Sequence, residues 1–353
     1  MPSSQTRLKQ PPASTRDGRA EVLIVDDSIV ARSVIGRLVD GNPRCRVAGA
    51  VADADSALAF LRANRVDVML LDIEMPGRNG LAALPDLLAE SGGTKVLVVS
   101  SSCQDGGAST VQALALGAAD TLVKPGAGTL AGRFADELED RLERLLEPVP
   151  RVPHLACAAA SAAAEFDVVA IGASTGGIHA LSQVLRGLPV DMTAPILVTQ
   201  HLPPSFMPYF AAQLALLAGR PCEVGEDRLR IRPSRIIVAP GHAHLKVVRT
   251  TDGAAIRLST QPVASGCMPS VDPMFESVAE VYGRNALGVV LSGMGRDGTR
   301  GAERIAGSGG RVVVQDRESS TIWGMPGSVA AAGCASQVLA PDAIGAMIAR
   351  RAA

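Results

Sequence analysis

Charge of one sign is the first thing this chain lacks: 34 Lys and Arg stand against 35 Asp and Glu, a formal net charge of -1. Aromatic residues are scarce at 3%, and nowhere do they interleave with clustered Lys and Arg, so the electrostatic footprint of a nucleic-acid binder is missing. The six cysteines (Cys45, Cys103, Cys157, Cys222, Cys267, Cys334) form no C-x-x-C pair. That spacing argues against a zinc site and a disulfide framework, and predicts reduced thiols in the cytoplasm. No apolar run approaches the roughly 18 residues of a spanning helix, and the Ala-rich stretch from Leu155 to Ala164 is short and made of small side chains. Residues 1–20 are polar, carry Pro11 and Pro12, and have no apolar core, which predicts a disordered tail rather than a signal peptide or anchor.

A hydrophobic content of 47% with 20% charged residues describes ordinary globular folding, and 353 residues suffice for two or three domains. From Glu21 to Leu146, five short β-branched runs alternate with helical patterns. Continuous apolar strands between amphipathic helices predict an α/β, doubly wound, five-stranded parallel domain over 21–146. Pro148, Pro150 and Pro153 then break the rhythm, and an Ala/Ser run follows, which predicts a connector over 147–165. A second alternation fills 166–353. It predicts another α/β domain with a mostly parallel sheet, and a helix-free, hairpin-rich edge between Cys222 and Thr260.

The first domain gathers Asp26 and Asp27 after strand one, Asp72 after strand three, Ser100 at strand four and Lys124 at strand five. A parallel sheet projects all of these at one edge. Three crowded carboxylates repel one another unless a divalent cation sits among them, and oxygen-only ligands favour Mg²⁺. Such an ion also neutralises an incoming phosphoryl group, so one carboxylate can act as nucleophile while the hydroxyl and ammonium hold phosphoryl oxygens. Taken singly, Asp27 reads better as a helix cap and Lys124 as a surface ion-pair partner; five fitting residues on four strand ends together reverse that preference.

The second domain carries Gly172-Ala173-Ser174-Thr175-Gly176-Gly177, a strand running into a glycine-flanked serine that opens a helix. The glycines permit a tight turn that lifts the hydroxyl above the sheet. A dinucleotide-binding turn competes for this segment, but that fingerprint wants glycine where Ser174 stands, and no acidic residue ends the next strand at Gln200. A serine hydroxyl needs a base, and imidazole is the usual one. His201 follows the strand ending at Gln200. His154 lies in the connector, His179 on the helix after the serine, and His242 and His244 in the edge region, so these four read as structural or solvated. Asp297 sits in a glycine-rich loop after an apolar strand, where it can fix the imidazole tautomer. As an alternative it caps the next helix, which residue type leaves open.

The first domain resembles two-component receiver domains through Val-Asp-Asp-Ser at 25–28, Leu-Leu-Asp-Ile-Glu-Met-Pro at 70–76 and Val-Lys-Pro at 123–125. The resemblance implies phosphorylation of Asp72 by a chemotaxis histidine kinase. It also implies Mg²⁺ held by Asp26, Asp27, Asp72 and the Glu74 carbonyl, with Ser100 and Lys124 sensing the phosphate. The second domain resembles bacterial chemotaxis protein-glutamate methylesterases over essentially its whole length. The matching motifs are Ile-Gly-Ala-Ser-Thr-Gly-Gly, Gln-His-Leu-Pro, Ala-Pro-Gly-His, Pro-Ser-Val-Asp, Gly-Met-Gly-Arg-Asp-Gly and Trp-Gly-Met-Pro-Gly, and the chain order Ser174, His201, Asp297 differs from that of common α/β hydrolases.

That likeness implies a phosphorylation-gated serine hydrolase that demethylates glutamyl γ-methyl esters on chemoreceptor cytoplasmic helices and deamidates certain glutamines, with no cofactor for the esterase. It also implies oxyanion donors near Thr175 and Met294. Asn79, Met207, Met268 and Arg317 depart from the family pattern without touching the Ser, His and Asp set, so they bear on receptor recognition or domain docking rather than on the chemistry. The other readings are the same chemistry in another chemosensory-type pathway, and a catalytically idle adaptor regulated by the receiver.

Overall fold

The computed structural model describes residues 18–100, 107–124, 131–147 and 166–350. The expected tail as far as residue 17 and the connector from 148 to 165 lie outside the described residues. Ala20, placed in the tail by sequence, already belongs to the first strand, where it pairs with Cys45.

The N-terminal domain runs β1 (Ala20–Val25), α1 (Ile29–Gly41), β2 (Cys45–Val51), α2 (Ala54–Ala63), β3 (Val68–Asp72), α3 (Gly80–Ser91), β4 (Lys95–Ser100), α4 (Gly107–Leu116), β5 (Asp120–Val123) and α5 (Ala131–Leu146). Its five strands are parallel in the order β2-β1-β3-β4-β5. β1 and β3 are fully buried apart from Ala20, as expected of strands covered on both faces. Phe134, Leu138, Leu142 and Leu145 recur at helical spacing along α5 and bury one stripe against Val22, Ile24, Leu70 and Leu122. Helix starts are set by side-chain caps: the Ser28 hydroxyl accepts from Ala31 N–H (3.2 Å) and the Asn79 amide oxygen from Ala82 N–H (2.8 Å). Asn79, one of the departures from the family pattern, therefore keeps the helix cap. Asp27 is no cap; Ser28 takes that role.

The C-terminal domain runs β6 (Val168–Ala173), α6 (Gly177–Arg186), β7 (Ile196–Gln200), α7 (Met207–Ala218), β8 (Cys222–Val224), β9 (Ile236–Val238), β10 (His244–Thr250), β11 (Gly253–Ser259), α8 (Val271–Tyr282), β12 (Ala286–Val290), α9 (Thr299–Gly307), β13 (Arg311–Gln315), α10 (Gly324–Ala331), β14 (Gln337–Leu339) and α11 (Pro341–Ala349). Seven strands form one parallel sheet, β14-β13-β12-β6-β7-β9-β8. Of the expected hairpin-rich edge, only the β10–β11 pair is a hairpin; β8 and β9 extend the main sheet in parallel.

The two domains share a core. One hydrophobic cluster runs from Leu71 and Leu87 through Val111, Leu114 and Ala115 of α4 to Ile178, Leu181 and Phe210 of α6 and α7. Burial of a large aliphatic side chain is worth roughly 2 kcal/mol, so the α4 contribution alone gives this contact several kcal/mol. Two polar links fix its register: Gly176 N–H donates to Ala119 O (2.9 Å), and His179 Nδ1 lies 3.1 Å from Ala115 O.

Candidate active site

Strand register brings the predicted residues together. Ala173 on β6 pairs with Gln200 on β7, and Gly172 pairs with Val290 on β12, so Ser174, His201 and the loop after β12 leave neighbouring strands on one edge. The sheet order reverses between β6 and β12, the place where open α/β sheets leave a crevice. Three backbone bonds tie the ends: His201 N–H donates to Ala173 O (3.1 Å), Ser174 N–H to Ser292 O (3.0 Å) and Leu291 N–H to Gly172 O (2.9 Å).

Ser174 Oγ lies 3.1 Å from His201 Nδ1, and His201 Nε2 lies 2.8 Å from Asp297 Oδ2. An Nε2–H donating to the carboxylate leaves Nδ1 with a lone pair aimed at the hydroxyl. Asp297 is 2% exposed and also accepts from Ser270 Oγ–H (2.6 Å) and Val271 N–H (2.7 Å). Burial alone would raise its carboxyl, but the bonds from His201, Ser270 and Val271 hold it below the ordinary value, so it stays ionised. Gly298, not Asp297, occupies the cap position of α9, which removes the competing helix-cap reading. Burial alone would lower the His201 imidazole, yet Asp297 and the neighbouring Cys267 sulfur outweigh it and push the pKa up to about 9.

The turn around the serine depends on two glycines. Gly176 has φ +74°, which side-chain-bearing residues rarely adopt, and a Cβ there would collide with Thr321. A Cβ on Gly293 would stand 2.8 Å from Ser174 Cβ, so only glycine lets the β12–α9 loop pass this close to the serine.

Sequence reading missed several groups that hold this arrangement. Gln200 Nε2 donates to Ser174 O (2.9 Å), the Ser292 hydroxyl donates to Thr175 O (2.8 Å), and Ser270 orients Asp297. Ser270 lies in the quoted Pro-Ser-Val-Asp motif, which supplied a signal without a role. Cys267 carries no signal in the sequence beyond that of one scattered thiol. His244 is buried, with Nε2 2.9 Å from Gln261 O and Nδ1 accepting from Ser270 N–H at 2.9 Å, and it is structural, as read from sequence.

A cleft of about 520 Å³ lies over Ser174 and His201, walled on the far side by Leu114, Leu122 and Arg141 of the first domain. Met294 and Ile322 pack against the cluster that contains Leu122 and Phe134. The first domain thus covers this edge.

At the other sheet, Val25 pairs with Leu71, so Asp26 and Asp72 stand side by side at the β1/β3 switch point. Oxygens of Asp26, Asp27 and Asp72 come within 4.8 Å of one another. Lys124 Nζ lies 2.6 Å from both Asp26 and Asp72, its ammonium favoured by those carboxylates against the cost of burial. Burial raises the Asp72 carboxyl, with Lys124 and Glu74 N–H opposing. Asp26 Oδ2, although close to Nζ, lacks a hydrogen bond of proper geometry. A hard cation with oxygen ligands fits such a set. Ser100 is buried at the end of β4, and Lys124 N–H donates to its carbonyl (2.7 Å). Glu74 is exposed, and its N–H donates to Asp72 Oδ1 (3.0 Å).

Comparison with known proteins agrees with both halves. Residues 169–348 match the CheB methylesterase family model, and residues 22–131 match the response regulator receiver domain. A protein-glutamate methylesterase/protein-glutamine glutaminase 2 of Caulobacter vibrioides is 41% identical over 345 residues, covering 94% of this chain and 98% of that protein. Its counterpart in Maricaulis maris is 35% identical, covering 97% and 98%. The Thermotoga maritima CheB methylesterase catalytic domain superposes with a TM-score of 0.51 at 33% identity, covering 53% of this chain and 99% of that one. With a receiver domain ahead of a serine-bearing parallel sheet, and relatives that align along nearly their full length, the chain belongs to the CheB protein-glutamate methylesterase/protein-glutamine glutaminase family.

Proposed function

We propose that the chain is a phosphorylation-gated serine hydrolase that removes methyl groups from glutamyl γ-methyl esters on chemoreceptor cytoplasmic helices and deamidates certain glutamines there. The hydrogen-bonded row Ser174, His201, Asp297 is the observation that carries this reading. Ser174 Oγ attacks the γ-carbonyl as His201 Nδ1 takes its proton. The buried Asp297 carboxylate stabilises the imidazolium that forms. Backbone N–H groups at Thr175 and Met294 are proposed to receive the oxyanion, where one donor is worth roughly 3 kcal/mol. His201 then returns its proton to departing methanol, or to ammonia from a glutamine. Water repeats the sequence on the acyl-serine and frees the carboxylate.

In the receiver, Asp26, Asp27, Asp72 and the Glu74 carbonyl are the proposed holders of Mg²⁺, and Asp72 the phosphorylated residue. A bound Mg²⁺ would offset the negative charge brought by the phosphoryl group. Ser100 and Lys124 are the proposed sensors. A phosphate adds about -1.5 to -2 charges, and Lys124 must then divide itself between phosphate and Asp26. β4 and β5, which end at Ser100 and just before Lys124, flank α4, the helix packed on the catalytic domain. Gating follows if that face shifts and frees Gly176 N–H from Ala119 O.

The idle-adaptor reading is not favoured: it gives no reason for an intact row of proton-passing groups. A histidine kinase as phosphodonor, a methylated receptor as substrate and a cytoplasmic location complete the proposal. Among the described residues no helix is long and apolar enough to cross a membrane.

The test is methanol release from methylated receptor membranes, with and without a small phosphodonor and Mg²⁺. S174A should abolish release, and D72N should keep basal release while losing stimulation. Release by S174A at the native rate would remove the catalytic assignment, and stimulation of D72N would remove the phosphorylation site.

A further inference from the structure

Hydrolysis leaves one reactive neighbour of His201 unused. Cys267 stands three residues ahead of Ser270, in the segment that leads into α8, and it is partly exposed. Its sulfur, a ring nitrogen of His201 and a carboxylate oxygen of Asp297 all lie within 4.8 Å of one another. We propose that His201, Cys267 and Asp297 form a binding site for a soft divalent cation of the Zn²⁺ class, and that filling it switches the esterase off.

The donor set decides the kind of ion. Thiolate and imidazole with one carboxylate suit Zn²⁺, at metal–ligand distances of about 2.0–2.3 Å, and do not suit Mg²⁺. The receiver offers the opposite set, oxygen alone. One chain therefore holds two sites that sort the two ions by chemistry. Three protein ligands leave a fourth position for water.

The surrounding bonds hold the ligands as metal sites require. Asp297 is oriented by Ser270 Oγ–H and Val271 N–H. Ser265 Oγ–H donates to Ser270 Oγ (3.3 Å), and Cys267 N–H donates back to Ser265 Oγ (3.4 Å). A continuous chain of hydrogen bonds thus links the carboxylate to the cysteine backbone. The partial exposure of Cys267 and His201 gives an entry path.

Inhibition follows from the ring nitrogen the ion takes, which is Nε2 because Asp297 faces that atom at 2.8 Å, given the catalytic roles proposed above. On Nε2 it replaces the proton shared with Asp297 and leaves the ring's remaining proton on Nδ1, the wrong tautomer. The ion competes with protons for these ligands, so binding weakens as pH falls.

Co²⁺ is the direct probe, because a thiolate–Co²⁺ bond gives a charge-transfer band that owes nothing to esterase activity. The full-length chain, reduced with a non-thiol reductant and freed of metal, should develop that band with one equivalent of Co²⁺ and lose it to Zn²⁺ but not to Mg²⁺. C267S, C267A and H201Q should each lose the band. Zn²⁺ should suppress methanol release by the native chain, a chelator should restore it, and C267S should need at least tenfold more Zn²⁺ for the same fractional loss. A band that persists in both Cys267 variants, no band in the native chain, or equal Zn²⁺ sensitivity of native and C267S protein would overturn the proposal. A native band that requires Cys267, in a chain that releases no methanol even without metal, would uphold the site and sink the catalytic reading instead.

Discussion

The raised imidazole of His201 sets a pH dependence that can be worked out in advance. In the general-base role proposed for it, His201 must be neutral to accept a proton, and kcat/KM reports its pKa in the free enzyme. With a pKa of about 9, the imidazole of the unphosphorylated chain is neutral in only ~1% of molecules at pH 7. The rate constant should therefore climb about tenfold from pH 7 to 8, bend towards pH 9 and level off above it. Two neighbours hold the pKa up against burial, Asp297 and the Cys267 sulfur. Removing the sulfur in C267S should move the midpoint to lower pH and raise activity at pH 7 without raising the plateau. The assay is methanol release from methylated receptor membranes, in chelator, with S174A subtracted at each pH to remove alkaline hydrolysis of the ester. A profile that is flat between pH 7 and 9, or has its midpoint near the ordinary imidazole value of about 6.5, refutes the electrostatic reasoning. An unshifted midpoint in C267S refutes the part given to sulfur.

Other perturbations test separate links. D297N keeps the size of the side chain but no longer fixes the Nε2–H tautomer, so methanol release should fall by about 10⁴ in kcat with the thermal melt little changed; a loss below tenfold would contradict the role. G293A places a methyl against Ser174 and displaces the nucleophile, which should cost about 10²-fold in activity while phosphodonor labelling of the receiver is kept. L114D puts a charge into the α4 contact with α6 and α7 and should raise unphosphorylated methanol release; unchanged release would show that the contact does not restrain the enzyme. Asp272 is buried, and its carboxyl is pushed up to about 6, chiefly by burial. Because the folded value exceeds the unfolded one, its contribution to stability is whole below pH ~4 and lost as pH rises through about 6, at most about 3 kcal/mol. D272N should therefore gain stability relative to the native chain across that window in denaturant titrations, and a pH-independent difference would contradict the assignment.

The placement of the proposed site residues at strand ends is legible because both readings rest on one rule, that parallel strands present their C-terminal ends together. Asp26, Asp72 and Lys124, and likewise Ser174, His201 and Asp297, needed only strand boundaries correct to a residue or two. Elements lacking a periodic apolar signal were not legible. α10 is Gly-Met-Pro-Gly-Ser-Val-Ala-Ala, a helix whose glycines and proline read as a turn, and β14 is three residues long. The edge between Cys222 and Thr260 is only partly legible because short strands look alike whether they pair in parallel, as β8 and β9 do, or fold back, as β10 and β11 do across a tight turn. Ser270 and Cys267 escaped because their roles depend on loop closure, which brings residues about 30 positions from Asp297 against it.

The interface between the domains shows why one sheet edge can serve both catalysis and control. α4 presents Val111, Leu114 and Ala115 to the catalytic domain, and Ala119, just before β5, offers its carbonyl to Gly176 beside the nucleophile. β4 and β5, which flank that helix, also carry Ser100 and lead into Lys124. The Lys124 ammonium already bridges Asp26 and Asp72 at 2.6 Å each, so a phosphoryl group on Asp72 cannot arrive without redirecting it. A change of a few kcal/mol in that ion cluster is comparable to the hydrophobic contact made by two or three α4 side chains. Gating by phosphate, as proposed above, would thus be energetically matched to the surface it has to release. A much larger interdomain core would have locked the cleft over Ser174 whatever the state of Asp72.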